Sequence, residues 1–326
     1  MAALVDRFGR VLDYLRISVT DRCNFRCVYC MPPEGIELIP QQSVLSYEQI
    51  ARVARNFVAM GGKRIRLTGG EPLMRKDLPQ LIRMLRTIQP QPLLMLTTNG
   101  SLLAPLAEEL KQAGLERINI SLDSLDPQKF SSLTRRDSFA KVWQGIEESL
   151  RIGLHTKLNV VALRGLSDGD ILKFAELAFQ RKLEVRFIEF MPLCGTGWHP
   201  GEMIPISHVR ELLQKHFCLQ PKIRGREVAE SYSLVGGLGS VGFIASMTES
   251  FCSSCSRLRL SSDGKIHPCL FSQIEFDLKP YLTERSTDAQ LQAALHQAVL
   301  LKPEGHGVRW QEKAQIITPR IRAIGG

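Results

Sequence analysis

The chain has 326 residues, enough to bury one large core or to form two domains. Its 42 basic and 33 acidic side chains give a net charge of +9, which favours an anionic partner, either a nucleic acid or a small phosphorylated molecule. Asp6 and Arg7 interrupt the start before an apolar segment forms, and no apolar run is long enough for a bilayer, so we expect neither a secretory signal nor a membrane span.

Short apolar strands alternate with helical patterns through the first two thirds of the chain. Ser46 and Gln49 have the spacing of a capping box, Asp77 and Ser138 begin two further helices, and Asp168 or Asp170 begins a fourth. Because each gap between strands has room for a helix, we expect parallel pairing with right-handed crossovers, as a doubly wound layer or an incomplete barrel. The predicted strands are Leu15–Thr20, Ile65–Gly69, Leu93–Thr98, Arg117–Asp123, Lys157–Leu163 and Glu184–Met191.

Polar side chains alternate with apolar ones along these strands. Side chains two residues apart share a face, so one face of the sheet is predicted to be polar and basic and the other apolar. A closed (β/α)8 barrel is filled with branched apolar side chains, whereas a polar interior suits an open cavity around a large polar ligand. The alternation therefore favours the incomplete barrel, as a (β/α)6 arrangement. The predicted polar face comprises Arg66, Thr68, Thr97, Asn99, Asn119, Ser121, Asp123, Lys157, Asn159, Glu189 and Met191, with Arg16 and Ser18 on one face of the first strand.

Three cysteines in one short stretch, Cys23-x3-Cys27-x2-Cys30, form the most informative pattern in the chain. Three thiolates hold three irons of a [4Fe–4S] cluster and leave the fourth iron open, whereas an electron-transfer cluster normally has four protein ligands. A tetrahedral zinc site needs a fourth ligand, and no histidine lies in this loop. Chance clustering of buried cysteines fits poorly with the polar neighbours in the loop. The spacing resembles the signature of the radical S-adenosylmethionine (SAM) enzymes.

The segment Gly69-Gly70-Glu71-Pro72 follows the second strand. Two glycines let the backbone approach a ligand closely, and Glu71 offers an acceptor for an ammonium group. Taken alone, the segment could be an ordinary tight turn. About 40 residues after the cysteine triplet, it resembles the motif with which radical SAM enzymes hold the methionine amino group.

A second cysteine group, Cys252-x2-Cys255-x13-Cys269, lies in the C-terminal third. It fits either a structural zinc site, with His267 as the fourth ligand, or a second [4Fe–4S] cluster with an open iron. Arg257 and Arg259 are two residues apart on a short extended segment, so both guanidinium groups can face one phosphate chain.

The eight cysteines of a chain without a predicted signal favour reduced thiols, metal binding and a cytoplasmic location over disulfides. Cys194 could complete a cluster, and Cys218 lies in an apolar stretch typical of a core. Neither residue is assigned a role.

The chain resembles one family over about 310 residues, the GTP 3′,8-cyclases of molybdenum-cofactor biosynthesis. The cysteine triplet and GGEP indicate only the superfamily, while the second cysteine group, the RxR pair and the two terminal glycines point to this family. The matching segments are LRISVTDRCNFRCVYCMP, RIRLTGGEPLMR, LTTNG, RINISLDSLD, IEFMPL, FCSSCSRLRLSSDGK with the later Cys269, and Gly325-Gly326.

The resemblance implies roles for individual residues. Cys23, Cys27 and Cys30 would hold the SAM cluster, and Cys252, Cys255 and Cys269 would hold a second [4Fe–4S] cluster whose open iron binds guanine. SAM would contact Tyr29, Gly70, Glu71, Ser121 and Met191. GTP would contact Arg16, Arg66, Thr97, Lys157, Arg257, Leu258 and Arg259. Arg257 and Arg259, with Gly325 and Gly326 of a tail that enters the active site, would complete the catalytic set.

The implied reaction converts GTP into (8S)-3′,8-cyclo-7,8-dihydroguanosine 5′-triphosphate, with SAM and two [4Fe–4S] clusters as cofactors. The implied partners are a one-electron donor protein and, downstream in the pathway, cyclic pyranopterin monophosphate synthase. The sequence does not decide whether the chain forms a homodimer. Neither nucleic acid nor membrane is expected as a partner. We expect a radical SAM partial barrel over residues 1–220 and a smaller domain over 221–326 that carries the second cluster and binds substrate.

Two other readings compete with the cyclase. A different radical SAM enzyme with an auxiliary cluster, for example one that modifies peptides, usually has more C-terminal cysteines and does not need a basic cavity. A metal-binding module that binds nucleic acid through its charge would leave GGEP unexplained and lacks an aromatic-rich basic stretch.

Overall fold

The computed structural model describes residues 3–192, 199–223 and 227–306 of the chain. Its strands are β1 Tyr14–Ser18, β2 Arg64–Thr68, β3 Leu93–Thr98, β4 Arg117–Ser121, β5 His155–Ala162, β6 Glu184–Glu189, β7 Leu219–Pro221, β8 Glu230–Leu234, β9 Ser240–Ile244, β10 Arg257–Leu260, β11 Lys265–His267 and β12 Phe276–Asp277. Its helices are α1 Tyr47–Ala59, α2 Leu78–Arg86, α3 Ala107–Gln112, α4 Pro127–Thr134, α5 Phe139–Arg151, α6 Asp168–Gln180, α7 Ile206–His216 and α8 Asp288–Leu300.

The strands form one sheet in the order β12-β11-β10-β1-β2-β3-β4-β5-β6-β9-β8-β7. Every neighbouring pair from β10 to β9 in this order is parallel, and antiparallel strands extend the sheet at both ends. The two ends of the sheet are not paired with each other within the described residues, so the barrel is open. The predicted incomplete barrel is confirmed over its six strands, with shifts of at most two residues at the strand ends.

The helix starts follow the local sequence. Ser46 and Gln49 form the predicted capping box at the start of α1. At α6 the cap is Ser167, whose side chain accepts a hydrogen bond from the Asp170 backbone, rather than either predicted aspartate. Asp170 is the reciprocal partner in that capping box, so the acidic residue belongs to the first turn and the hydroxyl residue precedes the helix.

The outward face of the sheet packs against the helices. Ile65, Leu67, Ile118 and Ile120 are almost completely buried in one large apolar core, as the alternation predicted. The side chains at the alternate positions of each strand face the other side of the sheet, where a cavity lies.

The predicted alternation is wrong on β6. Lys157 and Asn159 pair in register with Glu184 and Arg186, so the even-numbered residues of β6 share the cavity face. Glu189 is fully buried on the other side, where it accepts hydrogen bonds from the backbone of Ile206 and of Met247. The strand ends at Glu189, so its alternation does not extend to Met191.

The C-terminal third joins this sheet on both sides. β10 pairs with β1, and β9 pairs with β6, both in parallel. The strands on the C-terminal side of residue 220 continue the same sheet. The predicted division into two domains at this residue therefore stays a prediction. No helix within the described ranges is both long and apolar enough to cross a membrane.

Candidate active site

A cavity of about 890 Å³ lies inside the open barrel. Strands β1 to β6 and β10 all contribute side chains to its wall, which shows that the sheet curves around it. Of the predicted site residues, the lining includes Arg16, Tyr29, Arg66, Thr97, Ser121, Lys157, Met191, Cys252, Cys255, Arg257, Arg259 and Cys269. The fold therefore brings the predicted SAM side, the predicted GTP side and the second cysteine group to one space.

Arg66 anchors the basic wall through neutral partners. Its guanidinium group donates to the Tyr14 hydroxyl at 2.5 Å, to the Thr97 hydroxyl at 3.1 Å and to the Leu96 carbonyl at 3.0 Å. These bonds fix its orientation and leave its positive charge without compensation from those three groups. A guanidinium group held in a fixed orientation in this way favours the binding of an anion.

The hydroxyl of Tyr14 lies in the positive electrostatic field of the same wall. Burial raises its pKa, but the charges of Arg66, Arg16 and Arg257 more than offset this effect and lower the pKa to about 8. A buried tyrosine whose pKa is lowered indicates an unusually positive environment. Tyr14 was not predicted as a site residue, because the first predicted strand began one residue later.

Three arginines crowd the junction of β1 and β10. Arg16 pairs in register with Arg259. Burial and the nearby charges of Arg16 and Arg257 lower the pKa of Arg259 well below its usual value. Burial and the charges of Arg66 and Arg257 likewise lower the pKa of Arg16, to about 10. Mutual repulsion of this kind is relieved when an anion binds.

Leu258 lies between Arg257 and Arg259 but points away from them. Its side chain is fully buried in the apolar core. Because alternate residues of a strand face opposite sides, only the main chain of Leu258 remains for the predicted contact with GTP.

The first cysteine loop packs on the end of α4. The backbone of Arg26 donates to Thr134, that of Val28 donates to Leu133, and the Arg135 guanidinium group donates to the carbonyl of Met31. Cys23, Cys27 and Cys30 form no disulfide and are of intermediate exposure. Burial raises the pKa of Cys27, and the charges of Cys30, Asp123 and Cys23 raise it further, which indicates that the three thiols lie near one another. Three clustered thiols fit a site for an iron–sulfur cluster.

The GGEP segment packs against the chain that enters the first cysteine loop. A Cβ atom on Gly69 would lie 2.3 Å from the Thr20 carbonyl oxygen, and one on Gly70 would lie 2.2 Å from that of Arg22. The glycines thus permit close contact with the chain entering the cysteine loop, and neither Gly70 nor Glu71 is among the residues that line the cavity.

Glu71 is fully buried, and its carboxylate accepts hydrogen bonds from the backbone of Leu73 and of Asn99 and from the Thr98 hydroxyl. Burial raises its pKa to about 7, against the effect of these three donors. In the observed orientation Glu71 ties the loop after β2 to the end of β3. The contact between this carboxylate and an ammonium group stays a prediction.

The predicted SAM side contains one close pair. The Tyr29 hydroxyl donates a short hydrogen bond to Asp123, whose other oxygen accepts from the Val161 backbone at 2.8 Å. Burial raises the pKa of Asp123 to about 6. Ser121 lines the cavity two residues before Asp123, and Met191 reaches the cavity from the loop after β6.

The second cysteine group lies against positive charge. Burial raises the pKa of Cys255, but the charges of Arg257 and Lys302 outweigh it and lower the pKa to about 6. Lys302 is buried, and its ammonium group donates to the carbonyls of Arg257 at 2.9 Å and of Pro268 at 2.6 Å. A thiolate favoured at neutral pH is the form that ligates iron, so the group fits a cluster.

The structure does not place His267 with the three cysteines in the cavity. His267 is absent from the residues that line the cavity with Cys252, Cys255 and Cys269. Across the described parts of the chain, no three of the side chains of His, Cys, Asp and Glu are placed to hold a single metal ion.

Several lining residues were not predicted. Arg186 and Ile188 were missed because of the alternation error on β6. Arg117, Glu227 and Lys302 had no local sequence signal, since their place depends on which distant segments pack together. Cys218 is exposed, so its predicted core position is wrong. Cys194, Gly325 and Gly326 lie outside the described residues.

An open parallel barrel with a CxxxCxxC loop beside a polar cavity defines a radical SAM enzyme, and the model of the Radical SAM superfamily matches residues 17–178. The family model Molybdenum Cofactor Synthesis C matches residues 183–308. With the relatives described next, these matches show that the chain belongs to the GTP 3′,8-cyclase family. Its superfamily uses SAM together with an iron–sulfur cluster.

The similarity to the relatives extends over nearly the whole chain. The GTP 3′,8-cyclase of Desulforamulus reducens is 43% identical over 95% of this chain and 98% of its own length. That of Moorella thermoacetica is 46% identical over 92% of this chain and 94% of its own length. The mitochondrial GTP 3′,8-cyclase of Arabidopsis thaliana is 42% identical over 93% of this chain and 78% of its own length.

Solved structures show the same fold at low identity. Native anSMEcpe with bound AdoMet has a TM-score of 0.60 and 15% identity, and the match covers 90% of this chain and 81% of that one. Streptococcus suis SuiB bound to S-adenosylmethionine has a TM-score of 0.59 and 14% identity, over 88% of this chain and 65% of that one.

Proposed function

We propose that this chain cyclises GTP to (8S)-3′,8-cyclo-7,8-dihydroguanosine 5′-triphosphate, for molybdenum-cofactor biosynthesis, inside the barrel cavity. One observation carries the proposal: the second cysteine group, the RxR arginines and the tyrosine of the first cysteine loop all line a single cavity. An intramolecular rearrangement needs one space in which both ends of GTP are held while its ribose faces the radical source.

The SAM side is assigned to the region between the first cysteine loop and the ends of β4 and β6. Cys23, Cys27 and Cys30 would hold the cluster, and Tyr29, Ser121 and Met191 would contact SAM. When bound, the reduced cluster and SAM supply the radical that removes a hydrogen atom from substrate. Gly70 and Glu71 would act by fixing the loop that supports the cysteines.

The triphosphate is assigned to the basic wall. Arg16, Arg66, Lys157, Arg257 and Arg259 line it, and Thr97 orients Arg66. Each hydrogen bond between a charged donor and an anion contributes about 1.5–3 kcal/mol, so several together hold a polyanion firmly. The rigid fork of arginine suits phosphate oxygens better than a flexible ammonium group does.

The guanine end is assigned to a second [4Fe–4S] cluster on Cys252, Cys255 and Cys269. The lowered pKa of Cys255 supports iron ligation, and Lys302 adds positive charge beside the same thiol. With the base at this end and the phosphates on the arginines, the ribose would lie toward Tyr29 and Met191.

Further parts of the proposal rest on the resemblance alone. The terminal Gly325 and Gly326 would enter the active site, a one-electron donor protein would reduce the clusters, and cyclic pyranopterin monophosphate synthase would take the product. The cytoplasm is the proposed location, and the oligomeric state is left open between monomer and homodimer.

The test is anaerobic reconstitution with iron and sulfide, followed by incubation with SAM, a reductant and GTP. We expect about eight irons per chain, together with 5′-deoxyadenosine and cyclised GTP that both depend on GTP. About four irons with one zinc would overturn the second cluster. A full iron content with 5′-deoxyadenosine but no GTP product would overturn the substrate assignment.

A further inference from the structure

Three cations of the cavity wall beside β4, β5 and β6 contact two carboxylates. Arg117, Lys157 and Arg186 are the cations, one from each strand. Glu184 lies on β6, and Glu227 lies between β7 and β8. The two carboxylates contact the same cations in different ways.

Glu184 is a buried counter-ion of these cations and is not among the residues that line the cavity. Its side chain is 7% exposed, and its oxygens lie 2.9 Å from the Lys157 ammonium and 2.6 Å from the Arg186 guanidinium group. The same carboxylate accepts a hydrogen bond from the Ser231 hydroxyl of β8 at 3.0 Å. A buried carboxylate with two cations and a hydroxyl holds those cations in place, and its removal would leave charges unpaired.

Glu227 contacts all three cations from the cavity side. Its oxygens lie 3.0 Å from Arg117 and 3.2 Å from Lys157, and one of them also forms a short ion pair with Arg186. Its side chain is 38% exposed, and the residue belongs to no helix or strand. An exposed carboxylate on a flexible stem is much easier to move than Glu184.

We propose that Glu227 is a displaceable counter-ion that occupies the position of a substrate phosphate on Lys157 and Arg186 and must leave before the triphosphate binds there. This inference rests on the proposed function, because it takes the basic wall as the triphosphate site. Glu227 and a phosphate would occupy the same cavity-side position on these cations, where two anions a few ångströms apart repel strongly. Glu227 therefore competes with the substrate and weakens its binding, while Glu184 supports it.

We therefore expect the same substitution, glutamate to glutamine, to have opposite effects on GTP binding at the two positions. Glu227→Gln removes the competing charge and is expected to lower the Kd for GTP by about three- to tenfold, in the range of a partly exposed ion pair. Glu184→Gln removes the fixed counter-ion, so it disturbs Lys157 and Arg186 and raises that Kd. Because Glu227→Gln predicts tighter binding, partial misfolding cannot imitate the expected result.

The experiment measures binding calorimetrically on the anaerobically reconstituted enzyme without SAM, so that no turnover occurs. Three probes are used: GTP, inorganic triphosphate and guanosine. We expect Glu227→Gln to lower the Kd for GTP and for triphosphate by the same factor and to leave the Kd for guanosine unchanged. In turnover assays KM for GTP falls while kcat changes little, since Glu227 touches no reacting atom.

A third variant separates the two hypotheses. Lys157→Ala is expected to weaken GTP and triphosphate binding, and unchanged binding in this variant would overturn the proposed phosphate wall itself. If Lys157→Ala weakens binding but Glu227→Gln does not tighten it, or weakens it as Glu184→Gln does, the displaceable counter-ion is wrong and the phosphate wall stands. A lower Kd for guanosine in Glu227→Gln would also contradict the inference.

Discussion

The backbone of Gly70 presses directly on that of Arg22, with the carbonyl oxygen of Arg22 only 2.2 Å from where a Cβ atom of residue 70 would lie. The Gly70 amide also donates to the Thr20 carbonyl at 2.7 Å, and the Glu71 amide donates to that of Arg22 at the same distance. Since Cys23 follows Arg22 directly, the loop after β2 fixes the first cysteine of the triplet.

Gly70→Ala should therefore displace the first cysteine loop. We expect a loss of about 1–3 kcal/mol in the free energy of unfolding, as for other overpacked sites, and a loss of about four irons per chain. Iron analysis and thermal unfolding measure both. The control is Gly169→Ala on α6, where the nearest atom lies at 3.8 Å and an alanine fits. Normal iron content in Gly70→Ala would show that this contact does not support the cluster.

Arg259→Ala tests the phosphate wall from the β10 side. Removing one of three mutually repelling guanidinium groups should leave the fold and the iron content intact, because Arg16 and Arg257 remain. Loss of a phosphate contact should reduce kcat/KM for GTP by about a hundredfold, since a misplacement of about 1 Å can have that effect. The control is Arg83→Ala, an exposed residue whose partner is Glu109. Activity equal to the control would remove Arg259 from the site.

Lys302→Met tests the electrostatic support of the second cysteine group. The substitution leaves the carbonyls of Arg257 and Pro268 without their buried donor, which costs about 1–3 kcal/mol of stability. It also removes a positive charge beside Cys255, so the thiol pKa should rise and any cluster there should be reduced at a more negative potential. Potentiometric titration followed by electron paramagnetic resonance measures the shift. Lys182→Met, at an exposed position, is the control, and an identical potential in both variants would contradict this role.

Tyr14 provides a pH-dependent probe of the basic cavity. Its pKa of about 8 lies below the value of about 10 in an unfolded chain, so ionisation stabilises the folded state. That contribution is complete above about pH 10 and is lost as the pH falls through about 8. The difference in ultraviolet absorbance between the protein and Tyr14→Phe should titrate near pH 8, and bound GTP should raise the midpoint. A midpoint near 10 without GTP would contradict the positive field.

The sequence predicted β1 to β6 well because each strand is a short apolar run followed by a helical pattern, which is local information. It could not predict that Arg257 and Arg259 join β1, because that pairing connects segments more than 200 residues apart. The polar face was predicted correctly on β2 to β5, where each strand runs regularly. It failed on β6, where the even-numbered residues face the cavity and Glu189 faces away. Met191 lies beyond the end of this strand, so the alternation does not determine where it points.

The role of Glu71 shows a second limit. A glutamate after two glycines is a reasonable ligand for an ammonium group, but the sequence does not reveal that the β3 loop offers it the backbone of Asn99 and the hydroxyl of Thr98. The same limit applies to Glu227, whose three cationic partners come from three different strands.

The central claim is that the barrel cavity holds the C3′ atom of GTP against the radical source. The most direct test uses GTP carrying deuterium at C3′, with the reconstituted enzyme, SAM and a reductant, and measures the mass of the 5′-deoxyadenosine formed. The account predicts one deuterium in the 5′-deoxyadenosine and a product with a new C3′–C8 bond. Unlabelled 5′-deoxyadenosine formed alongside unreacted GTP would contradict it.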